Sequence, residues 1–276
     1  APQVALDKPA RVLAGFAKTK ELASGETQTV TITIPKSVYA SYDDTGATGH
    51  KDCFLLEAGM YGIYVGADVR SAERVAEYEQ DFLIIEDLEE VCAPAESYER
   101  MTRAKDGSLT YTQVPKRTFG PYDRIEEIPA IAYRGYKLAD VYNQKITMDE
   151  FIAQLSDEDL MILFRGEGMC SPKVTPGTGS AFGGLTESLR AFGIPAACTT
   201  DGPSGLRLDC GTKAFSLPNG TALGCTFNLE LVEKLYEMTG LELRKNRVDA
   251  LLGPGLNIHR SPLNGRNFED ISEDPL

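Results

Sequence analysis

The sequence predicts a multidomain chain that passes from β structure to α/β structure along its length. Three observations carry this. The N-terminal quarter alternates β-branched and polar residues with a period of two. The C-terminal half sets two short apolar runs, each followed by a Gly-Pro loop, on either side of a helix-period stripe. The stretch between them has no clear period. The expected organisation is an incomplete β-sandwich over residues 1–72, an extended connector over 73–136 and an α/β segment of parallel-sheet or barrel type over 137–276.

In the first region Val30, Ile32 and Ile34 alternate with Thr29, Thr31 and Thr33, which predicts a strand. Ser24-Gly25 supplies a turn before it, and 11–19 reads as a further strand. Tyr61, Ile63 and Val65 alternate again after a turn at Ala58-Gly59. Short strands with Gly and Pro punctuation fit a sandwich. In the connector, 78–90 is rich in acid, and 105–129 carries Pro, Gly and Arg without a period. The run Phe82-Leu83-Ile84-Ile85 is too apolar for a free tether, so this stretch is expected to lie over neighbouring domains.

From residue 137 helices and strands alternate. Thr147-Met148-Asp149-Glu150 is a capping box, followed by an apolar stripe of Phe151, Ile152 and Leu155. Ser156 starts a second helix that places Leu160, Leu163 and Phe164 inside and ends at Gly166. Ile194 to Thr200 is an apolar strand running into Asp201-Gly202-Pro203. Asn228 caps a helix carrying Leu231, Val232, Leu235 and Met238. Ala250-Leu251-Leu252 is a second strand, running into Gly253-Pro254-Gly255. This is a βα unit, and sites in such architectures form at the C-terminal ends of the strands.

The charge balance is 28 basic against 41 acidic residues, a formal net charge of −13. Such a surface repels phosphate backbones, so nucleic acid is not an expected partner. No apolar run reaches the roughly 20 residues a membrane span needs. Six cysteines, none in a CxxC pair, and only two histidines give a zinc site little to draw on. Cys198 reads as a buried small hydrophobe, free thiols in a reducing, cytoplasmic compartment are expected, and no secretory signal is visible. No metal and no cofactor are expected.

Asp201 follows an apolar strand directly, where a carboxylate can accept hydrogen bonds from vicinal hydroxyls. On spacing alone the commoner role for such a residue is to cap the next turn through its side chain. Arg266 offers five donors in a fixed fork, for sugar hydroxyls or for a pair with Glu269 or Asp201. Arg207 and Glu269 are expected to form an ion pair between the two loops. Ser272-Glu273-Asp274-Pro275 reads as a helix start. His259 is expected to be a hydrogen-bonded structural residue. The glycine-rich run Gly177 to Gly184 misses both the dinucleotide and the phosphate-loop patterns and reads as a flexible loop near the site.

Taken in order, Asp201-Gly202-Pro203-Ser204-Gly205-Leu206-Arg207, Leu217-Pro218-Asn219-Gly220, Leu252 to Glu269 with its Gly265-Arg266-Asn267-Phe268-Glu269, and Ser272-Glu273-Asp274-Pro275 resemble the N-terminal barrel domain of family 3 glycoside hydrolases of the β-glucosidase type. Residues 11–70, with Leu13-Ala14-Gly15-Phe16 and Glu57 to Gly66, resemble that family's fibronectin type III-like domain. Because this domain precedes the barrel motifs, the chain is similar to the subgroup of permuted domain order. The resemblance implies an incomplete fibronectin type III-like sandwich followed by the first part of a (β/α)8-type barrel.

It also implies retaining hydrolysis of terminal β-linked glucosyl or similar residues by two carboxylates. In the family these come from a later barrel strand and from another domain, so no catalytic residue is expected in this segment, which should itself be inactive. Asp201 matches the aspartate that binds sugar hydroxyls and Arg266 the arginine of the same subsite. Asp270 stands where an aromatic is common. The implied partner is a β-glucoside or oligosaccharide. An open barrel segment further implies association with the rest of a parent chain or with itself. A non-catalytic carbohydrate-binding or assembly module is the alternative.

Overall fold

The protein is described by a computed structural model covering residues 1–90, 92–104, 106–118 and 126–274. It divides into two compact units, residues 1–126 and 127–275.

The first unit is built on small antiparallel sheets. β1 (Ser41–Asp43), β2 (Cys53–Leu56) and β5 (Leu83–Asp87) form one sheet in the order β1-β2-β5. Its inner residues Leu55 and Leu56 are fully buried, and Leu6 packs with Cys53 and Leu55. β3 (Gly59–Val65) pairs with β4 (Glu73–Gln80), and β6 (Tyr98–Arg103) pairs with β7 (Leu109–Val114), both antiparallel. Glu57 anchors the N-terminal segment. Its carboxylate accepts from the Ala5 amide at 2.7 Å and the Leu6 amide at 3.2 Å and pairs with Lys8. Tyr61 lies 5.8 Å from the Tyr39 ring and 5.7 Å from the Tyr78 ring, and the Tyr78 hydroxyl donates to that of Tyr39. Aromatic groups at these spacings add favourable edge and offset contacts.

Two sequence expectations are corrected in this unit. Neither 11–19 nor the Val30–Ile34 run is a strand. The turn between them does form, with the Glu26 amide donating to the Ala23 carbonyl, and the arms meet where the Lys20 amide donates to the Gln28 side chain. Yet Val30, Ile32 and Ile34 are 41%, 43% and 39% exposed. Alternation makes the backbone extended, but a strand also needs an in-register partner and a face to pack on. The stretch 73–136, read as a connector, carries four strands, β4 to β7, within 73–114. β4, β6 and β7 are exposed on both faces over most of their length, and a strand wet on both sides shows no apolar alternation.

The second unit begins with three short helices, α1 (Leu138–Tyr142), α2 (Met148–Ala153) and α3 (Asp157–Arg165). The capping boxes at Thr147 and Ser156 are both formed, satisfying amides that the first helical turn leaves without partners. Gly166 ends α3 at φ 62°. Phe151, Leu155 and Phe192 form the core here, with Ile152, Leu163 and Ile194 packed on them. Phe164, expected inside, is 97% exposed, and Leu160 is 37% exposed. Leu163 faces the core cluster, so the neighbouring position, 100° further round the helix, points away.

β8 (Ser180–Gly183), β9 (Ala196–Asp201) and β10 (Ala250–Leu252) form a sheet with β9 at its centre. The glycine-rich run is therefore not simply a loop: its second half is β8, antiparallel to β9. Between β8 and β9 lies α4 (Glu187–Ala191). Between β9 and β10 lie α5 (Gly220–Gly224) and α6 (Leu229–Asn246), so β10 returns parallel to β9 through a helical crossover. Cys198 is 1% exposed at the centre, packed with Leu208 and Val248. Its amide donates to the Asp249 carboxylate at 2.8 Å. Among the described residues the sheet is open, not a closed barrel.

Candidate functional site

The site lies at the C-terminal ends of β9 and β10, where Asp201 and Leu252 are register partners. The loop after β9 is closed from within. The fully buried Thr200 donates its hydroxyl to the Arg207 carbonyl at 2.6 Å, and the Arg207 amide donates to the Asp201 carbonyl at 2.9 Å. Gly202 makes the bend at φ 152°, and a Cβ there would run into the Gly205 carbonyl. The Leu217 amide holds the Ser204 carbonyl at 2.8 Å, bringing the Leu217-Pro218-Asn219 segment alongside. Asn219 then caps α5 by accepting from the Ala222 amide.

Asp201 ends β9 with its side chain 53% exposed, and among the described residues its carboxylate accepts no hydrogen bond. The turn is closed by backbone and Thr200 instead, so Asp201 is not its side-chain cap. Arg207 Nη1 stands 4.0 Å from Asp201 Oδ2, while Arg207 Nε donates to Asp209 at 3.1 Å.

The loop after β10 packs on the first. A Cβ on Gly253 would come within 3.1 Å of the Gly202 carbonyl and 3.2 Å of Pro203 Cα. Gly255 bridges to Asp270, and the Thr221 hydroxyl donates to the Asp270 carbonyl at 2.8 Å, tying the end of the loop to α5. His259 is a hydrogen-bonded structural residue: its amide donates to the Ser272 carbonyl and its Nε2 lies 3.2 Å from the Asp270 carbonyl.

Within this frame Arg266 Nε donates to Glu269 Oε1 at 3.0 Å and Nη2 to Oε2 at 2.5 Å. The fork is bidentate, a strong form of ion pair. Arg266 is 74% exposed and Glu269 only 20%. The hydrogen bond to Glu269 and its charge raise the guanidinium above its ordinary pKa, with Asp201 and Asp270 adding smaller attractions. The same hydrogen bond lowers Glu269. The expected Arg207–Glu269 pair does not form. Each residue finds a nearer partner, Asp209 two positions on and Arg266 three positions back, so neither crosses between the loops. The Ser272 hydroxyl accepts from the Asp274 amide, as a helix N-cap does, and the rest of the expected helix start, Pro275 and Leu276, lies outside the described residues.

The site thus brings one hydrogen-bond-free carboxylate and one partly engaged guanidinium to neighbouring loops. Acceptor and donor of this kind suit vicinal hydroxyls. Sequence reasoning missed Thr200 and Thr221 as the clamps of the two loops. Glu269, three residues after Arg266, had a signal in that spacing. Among the described residues no group of three or more His, Cys, Asp or Glu is placed to hold a metal.

Comparison with known proteins fits this architecture. Residues 1–69 match the fibronectin type III-like domain. Over its whole length the chain is 54% identical to a β-glucosidase of Ruminococcus albus and 35% identical to β-glucosidase A of Butyrivibrio fibrisolvens. It spans 30% and 36% of those proteins. The crystal structure of a β-glucosidase from Paenibacillus barengoltzii superposes on all of this chain and 31% of its own, with a TM-score of 0.86 at 51% identity. The chain is thus similar over its whole length to about a third of these β-glucosidases, and its residues 1–69 are a fibronectin type III-like domain.

Proposed function

We propose that this chain is part of a retaining β-glycosidase that releases terminal non-reducing β-D-glucosyl or similar residues from glucosides or oligosaccharides. Its second unit is the first part of a (β/α)8-type barrel. Its contribution to the reaction is to hold the sugar, with the Asp201 carboxylate accepting from hydroxyls and Arg266 donating to them. The catalytic pair lies elsewhere in the parent enzyme. The observation that carries this reading is the placement of Asp201 and Arg266 on adjoining loops at the strand C-termini. The whole-length similarity to β-glucosidases supports it.

Isothermal titration with glucose tests the binding half. The chain binds glucose, and Asp201→Ala weakens binding at least about tenfold, because a hydrogen bond to a charged group contributes roughly 1.5–3 kcal/mol. No binding by the unaltered chain overturns the site. Incubation with a chromogenic β-glucoside tests the other half: no turnover is expected, and robust turnover places a catalytic pair within this chain.

A further inference from the structure

Arg266 has five N–H donors, and the structure shows which of them are taken. Glu269 engages Nε and Nη2, the side edge of the fork. Among the described residues nothing accepts from the end edge, formed by Nη1 and the second Nη2 proton, and the side chain is 74% exposed. Glu269 is itself fixed. It is only 20% exposed, and it lies in a short 3-10 turn, Asn267–Glu269, flanked by anchored backbone. The Thr221 hydroxyl donates to the Asn267 carbonyl at 3.1 Å and to the Asp270 carbonyl at 2.8 Å. The Asn267 side chain holds the Ser261 carbonyl at 2.8 Å, and the Arg266 amide donates to Asn264 at 3.0 Å.

We infer that Glu269 is a positioning residue for sugar recognition: by taking the side edge of the Arg266 fork it presents the end edge, beside Asp201, to a pair of sugar hydroxyls. This rests on the reading of Asp201 and Arg266 as the sugar-holding residues. An exposed arginine without such a partner samples many rotamers, and binding must then freeze them. With Glu269 in place that ordering is already done. The partner also keeps the guanidinium from collapsing onto Asp201, which would cancel the acceptor the sugar needs.

The test is a double-mutant cycle on glucose affinity, using Glu269→Gln, Arg266→Ala and the double variant in the full 276-residue chain. Glutamine keeps the shape but has one acceptor oxygen where the fork needs two. Glu269→Gln is expected to weaken glucose binding about tenfold, and to add less than about twofold once Arg266 is alanine. An equal loss in both backgrounds shows that Glu269 only supports the fold and overturns the inference. So does a Glu269→Gln variant that binds as tightly as the parent. If the parent chain binds no glucose, the reading of the site falls, and this inference falls with it. Retained glucose binding with an unaltered Glu269→Gln affinity removes the inference alone.

Discussion

Replacing Asp43 by alanine should destabilise the first unit by about 3 kcal/mol, a figure built from its hydrogen bonds. Asp43 ends β1 and is fully buried. Oδ1 accepts from the amides of Gly46 at 2.7 Å, Ala47 at 3.0 Å and Thr45 at 3.2 Å. Oδ2 accepts from the Thr48 amide at 2.8 Å and its hydroxyl at 2.6 Å. The four strongest of these would total about 6–12 kcal/mol at 1.5–3 each. That is a ceiling, because the 44–49 loop is only partly buried and its amides can turn to water once the carboxylate is gone. Keeping about a third of the middle of that range gives the stated loss, equivalent to a fall in Tm of roughly 10 °C for a unit of this size. Thermal unfolding by circular dichroism reads the shift. Amide hydrogen exchange at Gly46, Ala47 and Thr48 should accelerate in parallel, since these are the protons that lose their acceptor. A loss below about 1 kcal/mol with unchanged exchange at these amides would refute the reasoning, because a side chain off the surface with this many donors cannot then be the loop's anchor.

Two further outcomes follow from the same structure. Glu90 accepts from the Thr118 amide at 2.7 Å and from its hydroxyl, and pairs with Lys51. Lys51, then Thr118, hold its carboxyl down at about 2. Its folded pKa is depressed, so the stabilisation is complete above the ordinary carboxylate range near 4.3 and is lost as pH falls through about 2. Protection of the Thr118 amide should persist at pH 4 and disappear near pH 2 in the parent, and be weak at both in Glu90→Gln. Gly202→Ala should cost roughly 2 kcal/mol or more, since a Cβ at φ 152° runs into the Gly205 carbonyl. It should also weaken glucose binding more than any change in the first unit, as read by thermal melts and titration, because the displaced loop carries Asp201.

The sequence alone determined the α/β half in outline. Its signals are local and need no distant partner: capping boxes at Thr147 and Ser156, Gly166 at a positive φ, Asn228 ahead of the long helix, and two apolar strands ending in Gly-Pro loops. The strand end also pointed to Asp201, and the loop after the second strand to Arg266, as candidates whose roles are tested by the binding experiments above. The tertiary structure decided what depends on partners. Val30, Ile32 and Ile34 alternate well but find no in-register strand partner among the described residues and stay 39–43% exposed, whereas the stretch from Glu73 to Val114 forms four strands through backbone bonds that composition does not record. Ser180–Gly183 looks like a loop until β9 offers it an edge. Arg207 and Glu269 had opposite charges on facing loops, but each took the nearer partner, since a short tether costs less side-chain freedom than a reach between loops. Local propensity fixes helices and caps, while strand pairing and the choice of ion partner are settled only when distant segments meet.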